Sequence, residues 1–195
     1  MEDKKIQEKW DRIYTVEHVG QQPPCALLAE NLHLLPHRGH ALDLACGLAG
    51  NALALIQHGL TAEAWDISPV VVDKLNHYAA NHNIPLTART SDLTAANLQP
   101  GQYDVISVSH YLQRELAPAI VAALKPNGLL FYQTFVRDTT PDYSGPSNPD
   151  FLLKEGELLQ LFAALRPVFY REEGTLGNHQ QGQRNIAQLV AQKMA

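Results

Sequence analysis

Short apolar runs alternate with helical segments along most of this 195-residue chain, and this alternation constrains the fold more than any other feature. The runs that predict strands lie at residues 41–45, 62–66, 86–90, 103–109 and 129–136. The segments that predict helices lie at residues 50–57, 68–81, 118–125 and 154–165. Strands that alternate with helices form βαβ units, whose right-handed crossovers place helices on both faces of a parallel sheet.

The N-terminal region precedes the first strand and predicts two helices, at residues 1–14 and 24–35. In the first helix, Ile6, Trp10 and Ile13 or Tyr14 recur at helical spacing and predict its apolar side. These two helices are expected to form a cap on the strand-containing core.

The C-terminal region predicts two strands, at 167–174 and 184–192, with no helix between them. Such a pair is typical of an antiparallel hairpin. The whole pattern predicts a single α/β domain over 1–195, with 1–36 as the helical cap and 40–195 as the core. We expect a Rossmann-like, doubly wound, mostly parallel seven-stranded sheet that ends in this hairpin.

The composition is that of a globular protein, with 45% hydrophobic and 18% charged residues. A net charge of -5 argues against a nucleic-acid partner, since binding phosphates needs a basic surface. The charged residues 1–10 do not resemble a signal peptide, and the longest apolar runs are too short to span a membrane. We therefore expect a cytoplasmic protein, a monomer or a homodimer, without a membrane partner. The spacing of its nine histidines predicts no metal site.

A turn of small residues, at 45, 47, 49 and 50, follows the first predicted strand and opens the next helix. Ligands of parallel sheets bind outside the carboxyl ends of the strands, and small residues let the backbone approach a ligand closely. A tight turn without a ligand would have the same pattern. Ala45 is expected to adopt an ordinary negative φ, because a left-handed conformation strains a side chain.

Two acids follow the next two strands at the same sheet edge. A carboxylate at Asp66 could accept hydrogen bonds from both ribose hydroxyls. After the third strand, the Asp92 carboxylate could accept from an adenine amino group, while the Leu93 N–H could donate to the ring. Each acid alone could be a solvated loop residue or a cap. Together with the turn, they predict an adenosine site.

Asp43 distinguishes between adenosine-containing ligands. A carboxylate just before the turn would repel a diphosphate, and it would suit the ammonium and sulfonium groups of S-adenosylmethionine. Residues 45–50 also resemble the GxGxxG pattern with Ala in place of its first glycine, so a nicotinamide-dependent oxidoreductase stays open at this point.

The motifs resemble those of the class I S-adenosylmethionine-dependent methyltransferases. Residues 43–47, Asp-Leu-Ala-Cys-Gly, are similar to the first motif of that class, residues 65–68 to its acidic second motif, and 125–128 to the turn before its fifth strand. Residues 10–14, Trp-Asp-Arg-Ile-Tyr, resemble a segment with which some members close over the cofactor. Length and C-terminal half look most similar to the TehB-like tellurite-resistance methyltransferases.

This resemblance implies that S-adenosyl-L-methionine is the cofactor and S-adenosyl-L-homocysteine the product. The cofactor residues that it implies are Trp10, Tyr14, Asp43, Ala45, Gly47, Asn51, Asp66, Ile67, Asp92, Leu93 and Ser109. Residues 10–14 and the polar loop 138–150 are expected to close when the cofactor binds.

The methyl acceptor is expected to be a small molecule, such as a thiol or an oxyanion like tellurite or selenite. Methyl transfer depends mainly on alignment, and it needs a base only if the nucleophile carries a proton with a high pKa. The candidate catalytic residues are His110, Arg137, His179 and Arg184. Arginines could hold an anionic acceptor by forked hydrogen bonds, but Arg184 could also pair with Glu172 or Glu173.

Two other interpretations of the chain stand beside this one: an enzyme that methylates a macromolecule, and a protein that catalyses no reaction. Methylation of nucleic acid or protein is disfavoured by the acidic composition. A non-catalytic S-adenosylmethionine-binding sensor or partner subunit stays open because alanines stand where the methyltransferase motif usually has glycines.

Overall fold

A computed structural model describes the backbone of residues 2–195 and the side chains from residue 4 onward. Its seven-stranded sheet has the order β3-β2-β1-β4-β5-β7-β6. The strands are β1 His40–Leu44, β2 Thr61–Asp66, β3 Leu86–Thr90, β4 Tyr103–Ser109, β5 Leu124–Phe135, β6 Arg166–Glu172 and β7 Ile186–Gln192. The first five run parallel, and β7 pairs antiparallel with both β5 and β6. The predicted sheet and its C-terminal antiparallel hairpin are thus confirmed.

The helices flank the sheet in the expected order. They are α1 Glu2–Val16, α2 Ala26–Glu30, α3 Gly50–Gln57, α4 Pro69–His82, α5 Ala117–Ala123 and α6 Glu157–Leu161. The start of α4 follows from its sequence, because the Ser68 side chain accepts a hydrogen bond from the Val71 backbone nitrogen and proline occupies the first turn. Within residues 2–195, the helices are too short or too polar to cross a bilayer.

Two predicted helices are shorter than expected. The helix predicted over 24–35 stops as α2 at Glu30, because Asn31 leaves the helical region at φ -122° and its side chain donates to the Leu27 carbonyl. The helix predicted over 154–165 starts only after Gly156, which has a left-handed φ of 66°.

The predicted turn before the fifth strand is a bulge within β5. Tyr103 of β4 pairs with Leu124, but Val105 pairs with Leu129, so several residues of β5 loop outward between these pairs. Asn127 adopts a left-handed φ of 66° in this bulge. The strand therefore starts earlier than residue 129, where its apolar run begins.

Two hydrophobic clusters lie on opposite faces of the sheet. One contains Trp65, Tyr103 and Ile106, and the other contains Leu27 of α2 and Leu75 of α4. Side chains of successive strand residues point to opposite faces, so each strand contributes to both clusters. Burial on both faces explains why the strands appear in the sequence as nearly continuous apolar runs.

Candidate cofactor site and acceptor cleft

The turn after β1 lies where the strand order reverses, since β1 is flanked by β2 on one side and β4 on the other. This switch point is where open α/β sheets bind their ligands. Within the turn, Ala45, Gly47 and Ala49 have left-handed φ values of 51°, 51° and 58°. The expectation of a negative φ for Ala45 is therefore wrong: the tight reversal between β1 and α3 imposes a conformation that costs a side-chain-bearing residue roughly 1–2 kcal/mol.

The small residues of the turn make room for other parts of the chain. A Cβ at Gly50 would lie 2.5 Å from the carbonyl oxygen of Pro23, so the segment before α2 passes directly over this position. A Cβ at Gly47 would lie 3.1 Å from the Tyr14 hydroxyl oxygen, which places the α1 tyrosine against the turn. The close approach of Pro23 thus explains why residue 50 is a glycine. Gly47 is the residue of the turn that faces Tyr14 of α1.

Asp66 links the end of β2 to this turn. Its carboxylate accepts hydrogen bonds from the backbone nitrogens of Gly47, at 2.9 Å, and Ser68, at 3.0 Å. Burial raises the pKa of Asp66, although both of these hydrogen bonds oppose the rise. The carboxylate is therefore held by backbone donors at the position where a ribose is predicted to bind.

Asp43 lies beneath the turn and supports the first turn of α3. Its carboxylate accepts hydrogen bonds from the Ala52 backbone nitrogen, at 3.1 Å, and the Asn51 side-chain nitrogen, at 3.4 Å. Burial and, to a smaller extent, the nearby charge of Asp66 raise the pKa of Asp43 to about 7, although the hydrogen bonds from Ala52 and Asn51 oppose the rise. Acidic groups at the N-terminus of a helix are favourable, so Asp43 has a structural role whether or not it acts on a ligand.

Asn51 joins three elements around the same turn. Its side-chain oxygen accepts from the Cys25 backbone nitrogen at 2.8 Å, and its nitrogen donates to the Ser109 hydroxyl at 3.3 Å. The predicted cofactor residues Asn51 and Ser109 are thereby connected to Asp43 in one network. This network fixes the ends of β1 and β4 relative to α3.

The ends of β2, β3 and β4 converge. The Ser91 backbone nitrogen donates to the Asp66 carbonyl at 2.9 Å, and the exposed Asp92 follows it. Tyr111, after β4, has a pKa raised to about 12, first by burial and then by the charges of Asp92 and Asp66. Both acids therefore act on the Tyr111 hydroxyl, and their joint contact with an adenosine stays a prediction.

Two other predicted cofactor residues follow the same strands. The Leu93 side chain is buried in the core, so only its backbone could face a ligand. Ile67, directly after Asp66, is half-buried.

Helix α1 covers this site through polar contacts that sequence analysis did not predict. The Ser68 hydroxyl donates to the Asp11 carboxylate at 2.5 Å. The Lys74 ammonium donates to the carbonyls of Tyr14, Thr15 and Glu17 at 2.6, 2.8 and 2.9 Å, and so caps the C-terminus of α1. A lysine on a helix surface carries no local signal of such a distant partner.

The apolar side predicted for α1 is largely open to solvent. Tyr14 is 9% exposed, whereas Ile6, Trp10 and Ile13 are 37%, 36% and 38% exposed. The reason is that α1 docks on α4 through Asp11 and its own carbonyls, which orients the helix by polar contacts. Trp10 stacks on Tyr14 with ring centroids 5.5 Å apart.

His110 follows β4 with a left-handed φ of 55°. Its ring lies against Phe135, with centroids 5.0 Å apart, and Tyr143 of the 138–150 loop packs edge-on against Phe135, with centroids 6.0 Å apart. Burial of part of the ring lowers the pKa of His110. A predicted catalytic histidine and a predicted loop residue thus share one aromatic cluster.

A cleft of about 470 Å³ opens beyond the ends of β4 and β5. It is lined by Leu112, Gln113, Arg114, Glu115, Arg137, Asp150, Phe151 and Lys154. The Arg137 backbone nitrogen donates to the Leu153 carbonyl at 2.9 Å, which places the two cations Arg137 and Lys154 on adjacent segments. Arg114 supports the wall instead, because its guanidinium is paired with both carboxylate oxygens of Glu157 at 2.6 and 3.0 Å.

The structure does not bring His179 and Arg184 to this cleft. The His179 ring bonds to the Thr175 carbonyl at 2.7 Å. Arg184 donates to carbonyls of its own loop and lies 3.5 Å from the Glu173 carboxylate, the pairing that the sequence had left open. Both side chains close the loop between β6 and β7, so their assignment as catalytic residues is not supported by their position.

No group of three His, Cys, Asp or Glu side chains within the described part of the chain could hold a metal ion.

Comparisons with known proteins agree with this fold. Residues 29–191 match the model of the family described as tellurite resistance protein TehB. The chain is 35% identical over 139 residues to Hemagglutinin 1 of Eikenella corrodens, covering 67% of this chain and 45% of that protein. It is 28% identical over 135 residues to a Haemophilus influenzae protein named "probable S-adenosyl-L-methionine-dependent methyltransferase TehB", covering 67% and 47%.

The crystal structure of TehB from Haemophilus influenzae superposes on this chain with a TM-score of 0.68 at 21% identity, covering 96% of this chain and 66% of that one. This likeness shows the shared fold. The chain spans about half the length of the curated relatives it matches. Because the family model covers most of the chain, from the end of α2 into the last strand, the chain belongs to the TehB family.

Proposed function

We propose that this protein is an S-adenosylmethionine-dependent methyltransferase that acts on a small molecule. The observation that carries the proposal is the Asp66 carboxylate bonded to Gly47 at the switch point of the sheet. It combines an acceptor for ribose hydroxyls with a backbone turn for the methionine end of the cofactor. The name of the Haemophilus influenzae relative supports the same activity.

The charges around the turn fit this cofactor. Asp43 and Asp66 are both buried, and each has a raised pKa. Two carboxylates in a desolvated site favour a ligand with positive charge, such as an ammonium or a sulfonium, and disfavour a diphosphate. This argument supports S-adenosylmethionine over a nicotinamide dinucleotide.

Different residues would bind different parts of the cofactor. Asp66 would bind the ribose, while Asp92 and the Leu93 backbone would bind the adenine. The Gly47 backbone would contact the methionine end, beneath Tyr14 of α1. The bound cofactor supplies an electrophilic methyl group on a positively charged sulfur, which is a good leaving group.

The acceptor would bind in the cleft beyond β4 and β5. Arg137 and Lys154 are exposed there and would attract an anion. A thiolate or an oxyanion such as tellurite or selenite fits these cations, and the family name favours the oxyanion. The protein has mainly to align such a nucleophile with the methyl group and to exclude water.

Calorimetric titration tests cofactor choice, with S-adenosylmethionine, S-adenosylhomocysteine and NAD as separate ligands. Saturable binding of the two adenosyl ligands without binding of NAD supports the proposal, and the reverse preference contradicts it. Release of S-adenosylhomocysteine is then measured with thiols, tellurite and selenite. Cofactor binding without turnover on any acceptor would favour the sensor interpretation instead.

A further inference from the structure

Gln133 is a buried glutamine of β5, only 2% exposed, that lies beside both the candidate site and α2. In the sheet it pairs with Ser109 of β4 on one side and with Gln188 of β7 on the other. It therefore lies between Ser109, which belongs to the hydrogen-bond network of Asn51, and the C-terminal hairpin. Burying a primary amide is costly unless its polar atoms find partners.

The side-chain oxygen of Gln133 has two donors. The Leu27 backbone nitrogen donates to it at 3.1 Å, and the Gln188 side-chain nitrogen donates at 3.3 Å. Leu27 lies in the first turn of α2, where backbone N–H groups have no partner within the helix. Because a backbone N–H can only donate, this contact requires that the Gln133 oxygen, and not its nitrogen, face α2.

This orientation directs the Gln133 nitrogen to His110. The Gln133 Nε2 atom lies 3.4 Å from His110 Nε2. An amide nitrogen has only hydrogens to offer, so the histidine nitrogen must accept. In a neutral ring whose Nε2 accepts, the proton lies on Nδ1.

The His110 backbone depends on the same residue. Its nitrogen donates to the Gln133 carbonyl at 2.9 Å, and its φ is the left-handed 55° noted above. One residue of β5 therefore holds both the main chain and the ring of His110. The apolar contact with Phe135 favours the neutral ring.

We propose that Gln133 is a positioning residue that holds His110 as the neutral tautomer with its proton on Nδ1. In this form His110 donates a hydrogen bond at the acceptor end of the site. It is not a general base, because Gln133 already occupies the lone pair of Nε2. The role assigned to His110 rests on the proposed function, but its tautomer does not.

The consequence concerns the class of acceptor. With its Nε2 lone pair occupied, His110 cannot take a proton from the nucleophile, so the site favours a nucleophile that arrives without one, as a thiolate or an oxyanion does. The Nδ1–H group and the cations of the cleft would then act together on a negative charge. Neutral alcohols and protonated amines would be poor acceptors.

Nitrogen NMR of the full chain labelled with 15N-histidine tests the tautomer directly. The His110 signals are assigned by their loss in His110→Gln. Wild-type protein should show a protonated Nδ1 and an unprotonated Nε2 at neutral pH, with or without S-adenosylhomocysteine. A proton found on Nε2 in the wild-type protein would overturn the proposal, and this result needs no variant of Gln133.

Gln133→Glu gives the matched test, because a carboxylate keeps an acceptor for Leu27 but cannot donate to His110. His110 Nε2 should then become protonated, and the pKa of the ring should rise. Gln192→Glu changes a glutamine at the end of β7, away from Gln133, in the same way. It is the control and should leave the His110 signals unchanged. Unchanged signals in a folded Gln133→Glu protein would contradict the positioning role.

A series of thiols with different pKa values, assayed at one pH, tests the consequence. The rate should follow the concentration of thiolate, and an alcohol of the same shape should not react. Efficient methylation of the alcohol would refute this part of the inference. If the tautomer is as expected but no acceptor is methylated, the proposed function fails and the tautomer assignment stands.

Discussion

The backbone nitrogen of Gly47 donates a 2.9 Å hydrogen bond to the carboxylate of Asp66. Gly47 lies in the turn after β1, Asp66 ends the adjacent strand β2, and both are predicted to contact the cofactor. A carboxylate has about four lone-pair sites, so Asp66 can accept from ribose hydroxyls while it still accepts from Gly47 and Ser68. Asp66 therefore keeps acceptor capacity for the ribose hydroxyls of the proposed cofactor.

Asp66→Asn should weaken binding of S-adenosylmethionine by roughly 10-fold to 100-fold, because hydrogen bonds to a charged group contribute about 1.5–3 kcal/mol. Calorimetry measures this loss. Asp73→Asn, which removes an exposed charge from α4, is the control and should bind like wild type. Equal affinities for wild type and Asp66→Asn would disprove the ribose role.

Binding of S-adenosylmethionine should strengthen as the pH rises to about 7 and should then level off. The raised pKa of Asp43, about 7, means that this carboxyl is largely neutral in the free protein below that pH. A positively charged ligand favours its ionised form, so binding near pH 6 should release protons. Titrations in buffers of different ionisation enthalpy count these protons.

Asp43→Asn is the matched variant for this pH effect. It should release fewer protons on binding, and the remainder would come from Asp66, whose pKa is also raised. An affinity that is independent of pH between 5 and 7 in the wild-type protein would contradict a cationic ligand beside these acids.

Ala45→Gly should stabilise the protein by up to about 1 kcal/mol, since it relieves left-handed strain but adds flexibility to the unfolded chain. Urea denaturation measures the free energy of unfolding. Ala52→Gly, within α3, is the contrasting control and should lose roughly 1 kcal/mol. A clear loss of stability in Ala45→Gly would show that the turn is not strained at this residue.

Lys74→Met should release α1 from α4, because it removes the ammonium that caps three carbonyls at the end of α1. Chymotrypsin should then cut after Trp10 several times faster than in wild type, and S-adenosylhomocysteine should protect less. Lys4→Met, at an exposed position on α1 itself, is the control.

The same digestion tests the predicted closure of α1 and the 138–150 loop. Wild-type protein should be protected at both segments when S-adenosylhomocysteine is bound. Identical cleavage patterns with and without the ligand would argue against closure.

Arg137→Gln and Lys154→Gln should each raise KM for an anionic acceptor several-fold and change kcat little, because the proposal gives the two cations a part in acceptor capture and none in bond making. Steady-state kinetics at low ionic strength separates these terms. Arg38→Gln removes an exposed charge just before β1 and serves as the control. A fall in kcat at unchanged KM would place the two residues at the reaction itself and not in acceptor capture.

Local sequence patterns were enough to predict the strands, the helices that alternate with them and the candidate ligand residues. Apolar runs marked the strands, and Ser68-Pro69 marked the start of α4. Once the strands are parallel, their carboxyl ends share one edge, so acids such as Asp66 and Asp92 must lie near each other. These inferences depend on local patterns and on one general rule of sheet geometry.

Which distant groups meet follows from tertiary packing and not from local patterns. Leu27 and Gln133 are 106 residues apart, and Lys74 lies 60 residues from Tyr14. The same packing directs the Arg184 side chain towards carbonyls of its own loop, and it holds Ala45 in a left-handed conformation. Local patterns encode the type of each element, but the partner of a side chain depends on how the elements pack, because hydrogen-bonding groups bind whatever packing brings within reach.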